Sequence, residues 1–427
     1  MITVFRKIKK IGIVLIMCAL SLPFDSFGQT VLTLDSCYQK ARENYPLIKQ
    51  FDLLEQTKSL SLEKTSRGYL PQINIGGQAT YQSDVTSLPI SLPNMSVPTV
   101  DKDQYKIYGE IIQPITDLWT VKQSRDYVSS TADVERQKVE VEMYKLRDRV
   151  NQLYFSILLS NTQIEQTEVL KKDITAALEK TNAAIANGVA MNSNLDLLQA
   201  EMLKINQRII EIKSTQIGLQ KMLGLLIGAE IEMNTEFMIP AYVKPNLEIN
   251  RPEIGEFELQ QKAFDIQYKL LSAKNIPRLS AFLQSGYGRP ALNMLNNDFD
   301  FYYMGGLRLS WNLSTFYTSN KEKKLINHGQ HSIDIQKETF LLNTNVQLTQ
   351  QMTELEKLAK LIETDKEIIQ LRENIKQWSE SQLENGVTTT IDHINIINVL
   401  DQAKLEMNLH QIKLLMAQYG YNTISGN

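Results

Sequence analysis

The sequence predicts a mainly α-helical, internally duplicated chain that also carries four strands of the membrane β-barrel type. Three observations lead to this fold class. Long helical stretches show coiled-coil periodicity, short segments alternate apolar and polar residues, and a set of residues recurs 198 to 206 positions later. The plainest recurrence is an Asn-Gly-Val triplet, found at 187–189 and again at 385–387.

Residues 1–28 are expected to form a secretory signal peptide. The opening MITVFRKIKK contains four basic residues, and the apolar segment 11–24 that follows is too short to span a bilayer as a helix. Small residues at Ser26 and Gly28 place the expected cleavage before Gln29.

The composition after the signal peptide gives no basic excess of the kind that nucleic-acid binding requires. Without residues 1–28, 41 basic and 47 acidic residues remain, and the net charge is about −6. Met17 precedes Cys18 where a lipoprotein signal has a small residue, so no lipid is expected. Cys37 is the one other cysteine, and it has no partner for an intramolecular disulfide.

The chain consists of two similar halves. The residues that recur at an offset of 206 are Asn44, Pro46, Phe51, Leu53 and Pro71. From about residue 109 the offset becomes 198, and the difference falls in a Pro- and Ser-rich loop at 84–103. The predicted organisation is a signal peptide at 1–28, a first repeat at 29–228, a connector at 229–250 and a second repeat at 251–427.

Alternation with a period of two predicts two strands in each half. In QINIGGQATYQ (72–82) the odd-numbered residues are apolar or glycine and the even-numbered residues are polar or glycine. Similar alternation occurs at 105–112, 279–287 and 301–313. The alternative is a small soluble sheet that covers a core, but two hairpins in a chain dominated by helix leave no obvious core to cover.

Each repeat ends in a predicted helical hairpin. Residues 120–186 contain neither Pro nor Gly, which predicts one helix of about 100 Å. After the turn, apolar residues alternate spacings of three and four from Leu195 to Ile212, as in a coiled coil. Gly188 and Gly386 are expected to adopt a left-handed backbone conformation where the chain reverses.

Four membrane strands cannot close a barrel, and open sheet edges are not tolerated in lipid. The chain is therefore expected to share its barrel with other copies of itself. Two copies would supply eight strands with a filled interior, and three would supply twelve strands with room for a lumen.

This layout resembles the TolC-like family of outer-membrane efflux proteins over essentially all of residues 30–427. The resemblance rests on the duplicated halves, the two glycine tips, and an ordered set of segments: TLDSCYQKARENYPLIK (33–49), LPQINI (70–75), QPITDLW (113–119) and WNLSTFY (311–317). It implies a homotrimer with a twelve-stranded β-barrel in outer-membrane lipid and a trimeric α-barrel of long antiparallel helices in the periplasm. The connector 229–250 would lie with the C-terminus in a girdle around this tunnel.

The resemblance also implies two partners, a periplasmic adaptor and an inner-membrane pump or secretion ATPase. The residues that match the adaptor-contacting tips of the family are Asn187, Gly188, Val189, Asn385, Gly386 and Val387. Asp392 and Asn395 match two acidic rings at the periplasmic aperture, and the second position has lost its charge. A bland alternative for the tips is that Asn and Gly serve only the turn, and for Asp392 that it caps a helix.

The function expected from these features is a passive exit duct of a tripartite efflux pump or type I secretion system in the outer membrane of a Gram-negative bacterium. Neither catalytic residues, a metal site nor a cofactor is expected, because the sequence contains no phosphate-binding loop, nucleophile elbow or cysteine pair. The rival function is a periplasmic coiled-coil scaffold or adaptor without a membrane barrel. An exported enzyme is a more distant alternative.

Overall fold

The computed structural model describes residues 31–86, 99–188 and 190–427. The expected signal peptide, Val189 and most of the loop at 84–103 lie outside the described residues. The chain divides into two compact units. The hairpin unit contains the residues up to 41 together with 150–242 and 358–416, and the sheet unit contains 42–149, 243–357 and 417–427.

The described residues of the first half form five α-helices and two strands. In chain order they are α1 (Leu34–Asn44), α2 (Lys49–Ser66), β1 (Gln72–Tyr81), β2 (Asp103–Pro114), α3 (Asp117–Tyr144), α4 (Leu146–Ala186) and α5 (Asn192–Ile227). Short 3-10 turns precede and follow α2, at Pro46–Ile48 and Arg67–Tyr69. Pro46 starts the first of these turns, where a missing backbone N–H costs little.

The second half repeats this order with fewer interruptions. Its elements are α6 (Pro252–Lys274), β3 (Arg278–Arg289), β4 (Asp300–Ser310), α7 (Thr315–Glu384) and α8 (Thr390–Ser425). The bounds of α5 and α8 differ by the offset of 198 found in the sequence, and β1 and β3 begin 206 residues apart. The structure therefore repeats the order of elements that the sequence offsets indicated.

The sheet is a four-stranded antiparallel meander in the order β1-β2-β3-β4. Its register pairs Ile73 with Ile111 and Ile111 with Leu283, and it pairs Leu283 with Gly305. The odd-numbered residues of all four strands consequently share one face. The large apolar members of this odd face are exposed: Ile73, Ile75, Tyr81, Tyr105, Ile107, Ile111, Leu283, Tyr287, Phe301, Tyr303, Leu307 and Leu309.

The core of the hairpin unit follows the predicted coiled-coil seam. Leu198, Ile205 and Ile209 of α5 are buried against Leu170 and Ile174 of α4. Ile394 and Ile397 of α8 complete the same cluster. Burial of these side chains on facing helices stabilises the hairpins in the way that knobs-into-holes packing does in coiled coils.

The core of the sheet unit lies between α3 and the chain that precedes β1. Val139 and Met143 of α3 are buried, and Tyr45, Phe51 and Leu54 pack against them. An ion pair of 2.8 Å between Lys58 and Asp133 also joins α2 to α3. These contacts attach α2 along α3.

Two details differ from the sequence prediction. The helix predicted over 120–186 is interrupted at Lys145, where α3 ends and α4 begins, although neither Pro nor Gly is present. The fourth strand ends at Ser310, so Trp311 and Leu313 lie beyond it. Within residues 31–86, 99–188 and 190–427, none of the helices is both long enough and apolar enough to cross a bilayer.

Candidate functional site

The two hairpin turns are built alike. Gly188 follows α4 with φ of +75°, and its N–H donates to the Ile185 carbonyl at 2.9 Å. Gly386 follows α7 with φ of +69°, and its N–H donates to the Leu383 carbonyl at 3.1 Å. A left-handed glycine directly after the last helical turn satisfies a terminal carbonyl and reverses the chain. The predicted backbone conformation of both glycines is confirmed.

Among the described residues, the surface at these turns consists of exposed backbone at the two glycines and of the apolar Val387 side chain. No atom lies within 4 Å of the position that a methyl group would take on Gly188 or Gly386. Val387 is 74% exposed, whereas the Asn385 side chain donates to the Ser381 carbonyl at 2.7 Å. The surface at the second turn is therefore open and partly apolar, as a docking surface for another protein would be. Val189 of the first turn lies outside the described residues.

Asp392 and Asn395 lie on one exposed face of α8, close to its start. The Thr389 hydroxyl donates to the Asp392 carboxylate at 2.6 Å, and the Asp392 backbone N–H donates to the Thr389 oxygen at 3.1 Å. The Thr389 oxygen thus caps an amide of the first turn of α8, as N-cap residues do, and the Asp392 carboxylate accepts from the capping hydroxyl. The cap of α8 is therefore Thr389 and not Asp392, which was the alternative weighed for that residue, and the Asp392 carboxylate remains exposed, as does Asn395.

A row of polar contacts joins α4 to α7 and α8 above the turns. The α4 residues in this row are Lys180, Asp173 and Gln166, each seven positions from the next. Lys180 pairs with Glu384 at 3.2 Å, and Asp173 pairs with Lys376 at 2.7 Å. A spacing of seven keeps side chains on one side of a coiled-coil helix, so the row lies along a single line of contact.

The row ends at a buried carboxylate, Asp401 of α8, whose side chain is 5% exposed. The Gln166 amide donates to it at 3.0 Å, and the Arg208 guanidinium of α5 lies 3.4 Å away. Burial raises the pKa of the Asp401 carboxyl, against the lowering effects of the Gln166 hydrogen bond and the Arg208 charge. Sequence reasoning missed this residue, although the spacing of Ile394, Ile397 and residue 401 places it on the apolar seam.

Two histidines also lie between α7 and α8. His410 Nδ1 of α8 is 2.6 Å from the Asp365 carboxylate of α7, which is a hydrogen bond between the two helices. His393 Nδ1 is 2.9 Å from the Ser379 hydroxyl, and burial lowers the pKa of the His393 imidazole. Among the described residues, no group of three or more His, Cys, Asp or Glu side chains is arranged to hold a metal ion. The arrangement joins helices and leaves the second turn open to solvent.

Comparison with known proteins relates the fold to membrane channels. No protein-family model matches the chain, and no curated protein matches it. The outer membrane protein VceC of Vibrio cholerae superposes with a TM-score of 0.66 at 12% identity, covering 92% of this chain and 96% of VceC. The CmeC outer membrane channel of Campylobacter jejuni superposes with a TM-score of 0.62 at 11% identity, and the match covers 95% of this chain and 90% of CmeC.

A third structure, the open state of the MtrE outer membrane channel of Neisseria gonorrhoeae, superposes with a TM-score of 0.65 at 13% identity. This superposition covers 92% of this chain and 89% of MtrE. The fold of the chain is thus the TolC-like fold of outer-membrane channels, along nearly its whole length.

Proposed function

We propose that the chain is a passive exit duct in the outer membrane of a Gram-negative bacterium. Three copies would close a twelve-stranded barrel in the lipid and continue as a tunnel of paired helices in the periplasm. An adaptor and an inner-membrane pump or ATPase would supply the energy. The chain would contribute no chemistry of its own.

The observation that carries this proposal is the odd face of the sheet. It is apolar across all four strands, and its large side chains are exposed, such as Ile75 at 83%. An apolar face of this extent needs a partner, and bilayer lipid fits strands of 10 to 12 residues. The edge strands of the described sheet, β1 and β4, would then pair with neighbouring copies, because free edges are costly in lipid.

The helical turns would dock the adaptor. Asn187, Gly188 and Val189 in the first repeat and Asn385, Gly386 and Val387 in the second would form a ring of six similar tips in a trimer. The exposed backbone and apolar side chain at the second turn support this role. A partner that contacts backbone at a glycine turn would tolerate few substitutions there, since any side chain at a positive φ strains the turn.

The aperture would lie at the start of α8. Threefold symmetry would bring three Asp392 carboxylates and three Asn395 amides around one axis. Like charges in a narrow passage attract cations, and carboxylate oxygens suit hard divalent ions. Because Asn395 carries no charge, the single acidic ring would hold cations more weakly than a double ring.

The rival proposal, a periplasmic scaffold, leaves the odd face without a partner. The two functions differ in cell fractionation and in electrophoresis. We expect the tagged chain to sediment with outer-membrane vesicles and to migrate as a trimer unless it is boiled. Recovery in the soluble periplasmic fraction, with no heat-dependent change in migration, would support the scaffold and exclude the duct.

A further inference from the structure

The face of the sheet opposite the odd face contains a row of alternating glycine and tyrosine. The register pairs Gly76 of β1 with Tyr108 of β2, Tyr108 with Gly286 of β3, and Gly286 with Tyr302 of β4. The row therefore crosses all four strands at one level. We call these four residues the Gly-Tyr row.

The tyrosine side chains of the row lie along the sheet, over the glycine of the preceding strand. A methyl group on Gly76 would lie 2.7 Å from Cζ and 2.9 Å from Oη of Tyr108. A methyl group on Gly286 would lie 2.8 Å from Oη of Tyr302 and 2.6 Å from the Ile107 carbonyl oxygen. Both rings can adopt this position only because the glycine beneath the hydroxyl end has no side chain.

The row belongs to the less exposed side of the sheet. Tyr302 is 8% exposed, whereas Ile75 on the odd face is 83% exposed. On the same face, Glu110 of the next row pairs with Arg308, which lies two rows further along the sheet, at 2.7 Å. The Arg308 guanidinium lies 4.6 Å from the Phe282 ring centroid. Charged side chains beside flat aromatic rings are typical of a wall that faces water, and they are costly on a lipid face.

We propose that the Gly-Tyr row sets the width of the exit passage through the barrel and thereby limits the size of what leaves. This inference rests on the proposed function, which directs the row toward the lumen. Three copies would place six tyrosines and six glycines around the passage. With each ring lying on a glycine the lumen is wide at this level, and with a ring displaced from the wall it is narrower.

The geometry predicts which substitution displaces a ring. At Gly76 the obstructing atoms belong to the free end of the Tyr108 side chain, which can rotate away from the sheet and into the lumen. At Gly286 one obstructing atom is a backbone carbonyl, so a substitution there would disturb the sheet itself. Gly76→Ala is therefore the informative change.

Gly77→Ala is the matched control. Gly77 is the next residue of the same strand, it lies on the odd face, and the nearest atom to an added methyl is 3.9 Å away. Both changes replace glycine by alanine in mid-strand, so they alter backbone entropy alike. A difference in polymer size limit between the two variants therefore shows that the effect depends on which face of the sheet carries the added methyl group.

The test is single-channel conductance of the purified trimer in a planar bilayer, with polymers of graded size added on the side of the barrel exit. Polymers from that side probe the barrel lumen without crossing the periplasmic aperture. We expect Gly76→Ala to lower the largest polymer mass that enters the barrel from this side by about 1.5-fold or more. Gly77→Ala should match the unmodified protein, and Gly76→Ala/Tyr108→Ala should restore or exceed its size limit.

Recovery in the double variant shows that the effect acts through the Tyr108 ring. A Gly76→Ala trimer that resists heat like the unmodified protein in unboiled electrophoresis then separates a displaced lumen-lining ring from a disturbed sheet, because removal of Tyr108 would relieve either. Equal size limits for Gly76→Ala and Gly77→Ala would overturn the inference, as would no recovery in the double variant. Absence of any conductance from the unmodified trimer would instead refute the proposed function.

Discussion

Replacing Ile75 by Arg tests which face of the sheet contacts lipid. β1 has 10 residues, which at about 3.4 Å per residue and a tilt of about 45° cover about 24 Å of membrane depth. Ile75 lies one and a half residues from the strand centre, or about 4 Å from mid-depth by the same geometry. Arg on the lipid face near the midplane costs about 2–4 kcal/mol.

Symmetry multiplies this cost, because each assembled trimer would contain the substitution three times, for a total of about 6–12 kcal/mol. A penalty of this size exceeds half of the stability of many folded proteins. The trimer of Ile75→Arg is therefore expected to be absent from outer membranes or to dissociate at much lower temperature. The assay compares unboiled and boiled samples by electrophoresis over a temperature series.

Asn74→Arg is the control for this prediction. Asn74 is the adjacent residue on the opposite face, and its cross-strand partner is Glu110, an opposite charge for the new guanidinium. We expect Asn74→Arg to assemble like the unmodified chain. Equal assembly of the two Arg variants would refute the assignment of the odd face to lipid.

The remaining predictions concern the hairpin unit. Gly188→Pro together with Gly386→Pro should abolish co-purification with the adaptor and stop export while trimer levels persist, because proline cannot adopt the positive φ of either turn; normal export would count against docking at the tips. Asp392→Ala should reduce cation preference and block by a trivalent cation in single-channel recordings, and identical recordings would leave Asp392 with its contacts to Thr389 alone. Burial raises the pKa of the Asp401 carboxyl above 3.8, so its contribution to stability is greatest in acid and is lost as the pH rises through the folded-state pKa. Asp401→Asn should therefore make hydrogen exchange of the α8 amides near residue 401 less dependent on pH, and an unchanged pH dependence would contradict this.

Local patterns in the sequence predicted most of the fold. The period of two placed all four strands, because the two faces of a half-buried sheet differ in polarity at every residue. The spacing of three and four identified the seam of α5, and Gly188 and Gly386 marked both turns. The repeated offset relates the two halves further along the chain as well, since Gly228 and Gly426 lie 198 residues apart and both have positive φ.

Features that depend on distant contacts were not predictable in the same way. The helix is interrupted at Lys145 although no Pro or Gly lies nearby, so the local sequence does not predict the interruption. Pairing of β2 with β3 joins residues from different halves, such as Tyr108 and Gly286. The Gly-Tyr row can therefore be recognised only when that register is known. Asp401 had a usable signal in its seam position, but its Gln166 and Arg208 partners come from two other helices.

The tip and aperture assignments depend on an assembly of several chains. A single chain gives the φ of Gly386 and the contacts of Asp392 with Thr389, but three copies are needed to form a ring. The local turn chemistry would be the same in a scaffold protein and in a duct. Only contacts between copies and with a partner distinguish the two.

The most direct test of the proposed duct is the electrical conductance of the purified chain. After extraction from outer membranes as a trimer, the protein would be added to one side of a planar lipid bilayer in salt. The proposal predicts discrete, long-lived conductance steps that increase when adaptor binding opens the periplasmic aperture. A chain that remains monomeric and produces no conductance steps under these conditions would contradict the proposal.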